Sequence, residues 1–123
     1  MYINEKTRVC NPLKNPQGET VYELIGSAVN SGGAGLHSLA VIVMPPGCSS
    51  QRHYHKVGEE TYYILSGSAS MMIDDHEFIL TPGQACLIQP NESHQITNNG
   101  KENLEFIAVC APAWTPANSY TSS

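Results

Sequence analysis

The sequence predicts an all-β fold, of the β-sandwich, jelly-roll or small-barrel kind, on three observations. Turn formers punctuate it at short intervals: Pro45-Pro46-Gly47, Gly58, Gly67, Pro82-Gly83, Pro90-Asn91 and Asn98-Asn99-Gly100. The segments between them are short and rich in Val, Ile, Tyr, Thr and Leu. No stretch carries the 3.6-residue period of a long amphipathic helix.

Taken in order, strands are expected over 20–30, 36–44, 51–56, 60–66, 69–74, 77–80, 85–89, 93–98 and 103–110. The stretch IDDHEF reads as a tight hairpin at Asp74-Asp75, and NNGKEN as a second, with Asn and Gly supplying the positive φ of such turns. The chain length fits a single domain over 1–123, with a core over 20–111. Residues 1–19 read as an N-terminal arm. Residues 112–123 form a tail rich in Pro, Ser and Thr, expected to cover the barrel or to end free. TYYIL is apolar on both faces, Tyr62 and Ile64 on one, Tyr63 and Leu65 on the other. Such a strand needs a second layer, from the N-terminal segment or from a second subunit, and a homodimer is the expected assembly.

Hydrophobic residues make up 41% and charged residues 14%, which suits a packed core and not a disordered chain. A formal charge of −5 argues against nucleic acid and against an anionic membrane surface. The N-terminus lacks the apolar stretch of a signal peptide, and LAVIVM at 39–44 is too short to span a bilayer. A soluble cytoplasmic protein is therefore expected. Cys10, Cys48, Cys86 and Cys110 are widely spaced and form no CxxC pair, so they read as free thiols, most of them buried.

The chemistry concentrates in HYHKVGEE at 53–60. Side chains at i and i+2 of a strand share a face, so His53 and His55 aim into one space. Imidazole is the commonest side-chain ligand for first-row transition metals. A glutamate can return to the same point after a turn at Lys56-Val57-Gly58, and His94 opens a further strand, SHQITN. Three imidazoles and one carboxylate leave one or two coordination positions open, the mark of a site that does chemistry. An isolated HxH on a strand is weak evidence by itself, and Glu59 and Glu60 alone read equally well as solvated turn charges.

The surrounding spacing resembles a known family. Gly47, His53, His55, Glu60 and Gly67 are separated by five, one, four and six residues, the spacing of the first cupin motif. Gly83, a gap, His94, three residues and Asn98 look like the second motif. The resemblance covers about 47–98 by motif. It implies a double-stranded β-helix, a jelly-roll cupin barrel, with one divalent transition metal inside (Fe, Mn, Zn, Ni or Cu). It also implies His53, His55, Glu60 and His94 as the ligands. Glu59, one residue out of register, is then expected to point outward. Gln89 stands where proline is usual and Asn91 where glycine is usual. Asn tolerates the left-handed conformation, so the turn before His94 can survive.

Strand parity adds candidates. Gln51 shares parity with His53 and His55 and should face the cavity. Tyr62 shares parity with Glu60, as a general acid, as a partner orienting Glu60, or as barrel filling. Asn98 shares parity with His94 and reads as structural. His37 reads as a rim or core residue, and His76 as an exposed hairpin residue. Met44, Met71 and Met72 read as core packing, Cys86 and Cys110 as inert thiols, and Trp114 as a plug at one end of the barrel or a contact with a partner.

The expected function is a small-molecule metalloenzyme of dioxygenase type. The ligand set resembles that of several cupin dioxygenases. A metal-dependent isomerase or lyase, sugar-directed and mannose-6-phosphate-isomerase-like, is the alternative. Six Lys and Arg residues offer little for a phosphate clamp. A small-molecule-binding protein without catalysis is the third reading.

Overall fold

The computed structural model of the chain describes residues 1–122. Eleven strands alternate with turns: β1 Leu13–Lys14, β2 Thr20–Ile25, β3 Ser38–Met44, β4 His53–Tyr54, β5 Glu59–Ser66, β6 Ala69–Ile73, β7 His76–Leu80, β8 Ala85–Ile88, β9 His94–Thr97, β10 Leu104–Ala111 and β11 Tyr120–Thr121. They form two sheets in the orders β1-β2-β3-β10-β5-β8 and β11-β4-β9-β6-β7. Every pairing is antiparallel.

Period-two alternation decides which face of each strand turns inward. β3 alternates buried and half-buried residues along its whole length. Its Ile42 and Met44 face the core, and β10 does the same with Leu104 and Phe106. From the second sheet come Ala69, Met71 and Ile96, which complete one continuous cluster. Phe106, Met44, Ile64, Met71, Ile88, Ile96 and Leu104 are almost fully buried. At about 1.5–3 kcal/mol for each large apolar side chain, this cluster is the main force holding the two sheets face to face.

Several boundaries differ from expectation. The segment expected over 51–56 is a ladder only at His53–Tyr54, because a bend follows at once and carries His55 out of the strand. The segment expected over 20–30 stops at Ile25, and a short 3-10 turn at Val29–Ser31 follows, closed by Gly32 at φ 90. Two strands were not expected. β1 pairs the arm with β2, and β11 adds the tail to β4. The tail is thus an ordered cover through Thr121. Met72 points away from the core that takes Met44 and Met71. The Asp74-Asp75 hairpin forms with Asp74 at φ 50, and His76 beside it is exposed. All four cysteines are free, Cys10 exposed and the others buried.

The second layer outside the larger sheet is partial. Lys6 of the arm pairs with Glu105 at 2.7 Å and stands over the Tyr22 ring, covering the β2–β10 side. Tyr63, Leu65 and Leu87 remain 42%, 41% and 50% exposed on β5 and β8. No helix among the described residues is long and apolar enough to cross a membrane.

Candidate metal centre

His53, His55, Glu60 and His94 meet at one end of the barrel. Register explains the meeting. His53 lies directly opposite His94 in the β4–β9 pair, with ring centroids 4.3 Å apart. Glu60 enters from the other sheet, opposite Cys110 on one side and Ile88 on the other. The turn at 56–58 returns the chain from His55 to Glu60. Gly58 makes that turn possible at φ 91, where an added Cβ would lie 2.3 Å from the Ala111 carbonyl oxygen. One donor atom from each of the four residues lies within 4.8 Å of every other.

The tautomer of each imidazole follows from its partner. His53 Nδ1 lies 2.7 Å from the Gln51 carbonyl oxygen, His55 Nδ1 2.8 Å from that of Asn118, and His94 Nδ1 2.9 Å from that of Glu92. A carbonyl oxygen only accepts, so each Nδ1 carries the proton and donates it. In the neutral ring each Nε2 then keeps its lone pair, the usual arrangement of a metal-ligating histidine. His55 Nε2 and His94 Nε2 stand 3.4 and 3.2 Å from Glu60 Oε1. These three atoms are buried without a hydrogen-bond partner. Leaving such groups unsatisfied costs about 1–3 kcal/mol each, so the cluster is built for an occupant. Donors around one first-row ion at about 2.0–2.2 Å stand up to about 4 Å apart, so inward shifts of a few tenths of an ångström let all four reach it.

Without an ion, the imidazoles and the carboxylate stabilise each other's charge. Burial alone would push the Glu60 carboxyl up, but the imidazoles of His55 and His94 outweigh it and hold Glu60 well below the ordinary carboxylate range. Burial lowers His55 as well, and the neighbouring carboxylate of Glu60 more than restores it. His53 has no such contact. Burial, and then the neighbouring His94, push it down to about 4, so it is neutral at physiological pH. Burial and the charge of Glu60 raise Tyr62 well above its ordinary value, which keeps it a phenol. The Cys110 thiol is likewise pushed up by burial and by Glu60. It donates to Glu60 Oε2 at 3.2 Å.

Beside the cluster lies a cavity of about 860 Å³. Gln51, His53, His55, Glu60, Tyr62 and Trp114 line the end that holds the cluster. The site is therefore closed on the core side and open on one face.

Comparison with known proteins identifies the family. The model of the cupin domain matches residues 40–110. The chain belongs to the cupin family. An uncharacterized protein of Methanocaldococcus jannaschii is 30% identical over 104 residues, 85% of this cupin and 82% of that protein. An oxalate-binding protein of Thermotoga maritima is 38% identical over 66 residues, 54% of each chain. The alginate biosynthesis protein AlgA of Pseudomonas aeruginosa is 34% identical over 91 residues, 72% of this cupin but 18% of that protein. The chain thus spans about half of the oxalate-binding protein and under a fifth of AlgA. Among solved structures, an uncharacterized double-stranded β-helix protein of Klebsiella pneumoniae has a TM-score of 0.78 at 19% identity, covering 100% of this chain and 98% of that one. A predicted oxalate decarboxylase of Thermotoga maritima has a TM-score of 0.75 at 25% identity, covering 90% and 99%.

The expected double-stranded β-helix is thus the fold of this cupin. The four expected ligand residues form one cluster, and the substituted turn before His94 is intact with Asn91 at φ 68. Gln51 and Tyr62 line the cavity. The Tyr62 ring stands edge-on to His94 at 6.1 Å. Asn98 is fully buried and donates to the carbonyls of Met44 and Glu102, a structural role. His37 is exposed and lies outside the cavity lining. Trp114 lies against the cluster end, its backbone N–H donating to Ser38 Oγ at 2.9 Å.

Two contributors escape the sequence. Cys110 reaches Glu60 only through the β5–β10 register, fifty residues away in the chain. Asn118 comes from the tail, where nothing local marks it. Besides orienting His55 through its carbonyl, its side chain accepts from the N–H of Lys56 and Val57 and donates to the Val57 carbonyl.

Proposed function

We propose that this cupin binds one divalent transition metal through His53, His55, Glu60 and His94, and acts as a dioxygenase-type metalloenzyme on a small chelating molecule. One observation carries the reading: buried Nε2 and Oε1 atoms without partners converge at the wall of a cavity large enough for a small organic ligand. A bound metal supplies Lewis acidity and, when it is iron, electrons for reaction with O2.

The chain's own residues divide the remaining work. Three backbone carbonyls fix the imidazoles, and the Cys110 thiol holds the second oxygen of Glu60, leaving Oε1 for the ion. Tyr62, kept as a phenol, donates a hydrogen bond to an oxygen of the ligand. Gln51, at the open face, supplies an amide to the same ligand. Binding without turnover is the second reading, favoured by the likeness to the oxalate-binding protein of Thermotoga maritima. A sugar-phosphate isomerase finds little support, since Arg8 is the one Lys or Arg lining the cavity and is exposed and ion-paired with Glu5.

Metal analysis of the purified protein, followed by oxygen-electrode assays of the iron-loaded form with catechols, thiols, flavonols and diketones, tests the reading. Oxygen uptake that depends on one of these classes is the expected result. Saturable binding with no uptake across the panel would leave the binding reading standing and the dioxygenase reading not. The exposed Tyr63, Leu65 and Leu87 support a homodimer packed through the outer face of β5 and β8. Light scattering should give twice the chain mass, and Leu87→Glu should halve it.

A further inference from the structure

The inner row of the larger sheet runs Tyr62, Ala108, Ala40, Glu23 across β5, β10, β3 and β2. Two alanines in the middle leave that stretch of the wall bare, and the cavity occupies the space. Three strand spacings, about 14 Å along the sheet, separate the Tyr62 end from Glu23. Glu19 and Val21 precede Glu23 at i, i+2 spacing, and all three line the cavity. The β2 side of the cavity therefore carries two carboxyl groups, about 13 Å apart along the chain.

Neither is neutralised by the protein. Among the described residues no lysine or arginine pairs with Glu19 or Glu23. Glu19 has only the Asn15 amide, which donates to its Oε1 at 2.9 Å. Burial, and then the charge of Glu60, push Glu19 up to about 7. Burial raises Glu23 too, with Ser31 offsetting part of the effect. A half-buried carboxylate without a cation is costly to keep, and a ligand that brings one removes the cost. Arg8 is occupied at the mouth by Glu5 at 3.1 Å. An anionic tail would meet uncompensated repulsion along this wall.

Resting on the metal-site reading above, we infer that the ligand of this cavity is a small molecule with a metal-chelating head and a cationic, amine-bearing tail, received on the β2 side by Glu23, at the end of the alanine row, or by Glu19. Dianions such as oxalate fit the metal end alone and leave both carboxyl groups unmatched.

The test uses zinc-loaded full-length protein, to avoid redox chemistry, and two probes that share one head. Dopamine carries an ammonium tail, and 3-(3,4-dihydroxyphenyl)propionate a carboxylate tail. Titration calorimetry under argon should give dopamine at least tenfold tighter binding. The Glu19→Gln, Glu23→Gln double variant, with zinc content unchanged, should bring the two probes to within about twofold. Equal affinities in the wild type, or a preference that survives the double variant, would overturn the inference while leaving the metal site intact. Binding of neither probe by protein that retains its zinc would overturn the open-site reading and this inference with it.

Discussion

At the scale of single residues, the centre depends on where a proton sits. Each Nδ1–H is committed to a carbonyl, so in the neutral rings each Nε2 is free for an ion, and Glu60 then supplies the one charge of the set. Glu59, its neighbour, is exposed on the opposite face of β5. Glu60→Ala should therefore weaken zinc binding by more than the roughly 10–100-fold that loss of a ligand's supporting partner costs. Glu59→Ala should change it less than twofold, read by competition with a chromophoric chelator. Equal losses in the two variants would overturn the ligand assignment. Cys110 is such a supporting partner. Cys110→Ala should cost about tenfold in zinc affinity, and Cys110→Ser, which keeps a donor, should recover most of it. The four candidate ligands were legible in the sequence because their spacing is local and patterned. Cys110 was not, because its contact with Glu60 exists only once β10 lies beside β5.

At the scale of elements, alternation made most of the strands legible, since burying one face of a strand forces a period of two on its side chains. Where the period is absent, the sequence misleads. QRHYHK reads as a six-residue strand, yet only His53 and Tyr54 pair, and His55 owes its position to the tail. That tail was hard to place because its composition marks no strand and its contacts lie some sixty residues away, at His55, Lys56 and Val57. It is tied down by β11, by the stacking of Tyr120 on Tyr54 at 5.4 Å and by Lys56 over the Tyr120 ring. Removing residues 115–123 should leave the two sheets folded and lower zinc affinity about 10–100-fold, through loss of the carbonyl that orients His55. Asn118→Ala retains that carbonyl and loses only the side-chain clamps on the turn, so it should keep most of the affinity. Circular dichroism checks the fold in both. A truncated protein with wild-type affinity would show that the strap does not position His55.

At the scale of the whole molecule, the barrel exchanges stability for a hollow, charged interior, and pH should expose the exchange. In the metal-free protein Glu60 is held low, so its contribution is present above the ordinary value of 4.5 and is lost as pH falls. His53 acts in the same direction: its stabilising neutrality is present above 6.5 and is lost as pH falls towards about 4. Glu19 has the opposite sign. Its folded-state value of about 7 lies above the ordinary 4.5, so the native state favours the protonated form. Below 4.5 both states hold the proton and Glu19 contributes nothing. As pH rises from 4.5 to 7 the unfolded chain ionises first, and stability falls. Above 7 the full penalty remains. At about 1.4 kcal/mol per pKa unit, reduced because the cavity admits solvent, the penalty is about 1–3 kcal/mol. Glu19→Gln keeps the acceptor for Asn15 and removes the charge. Urea unfolding of the metal-free variant should therefore show a gain of about 1–3 kcal/mol at pH 8 and none at pH 4, whereas the same gain at both would mean that packing, not ionisation, sets the cost of Glu19.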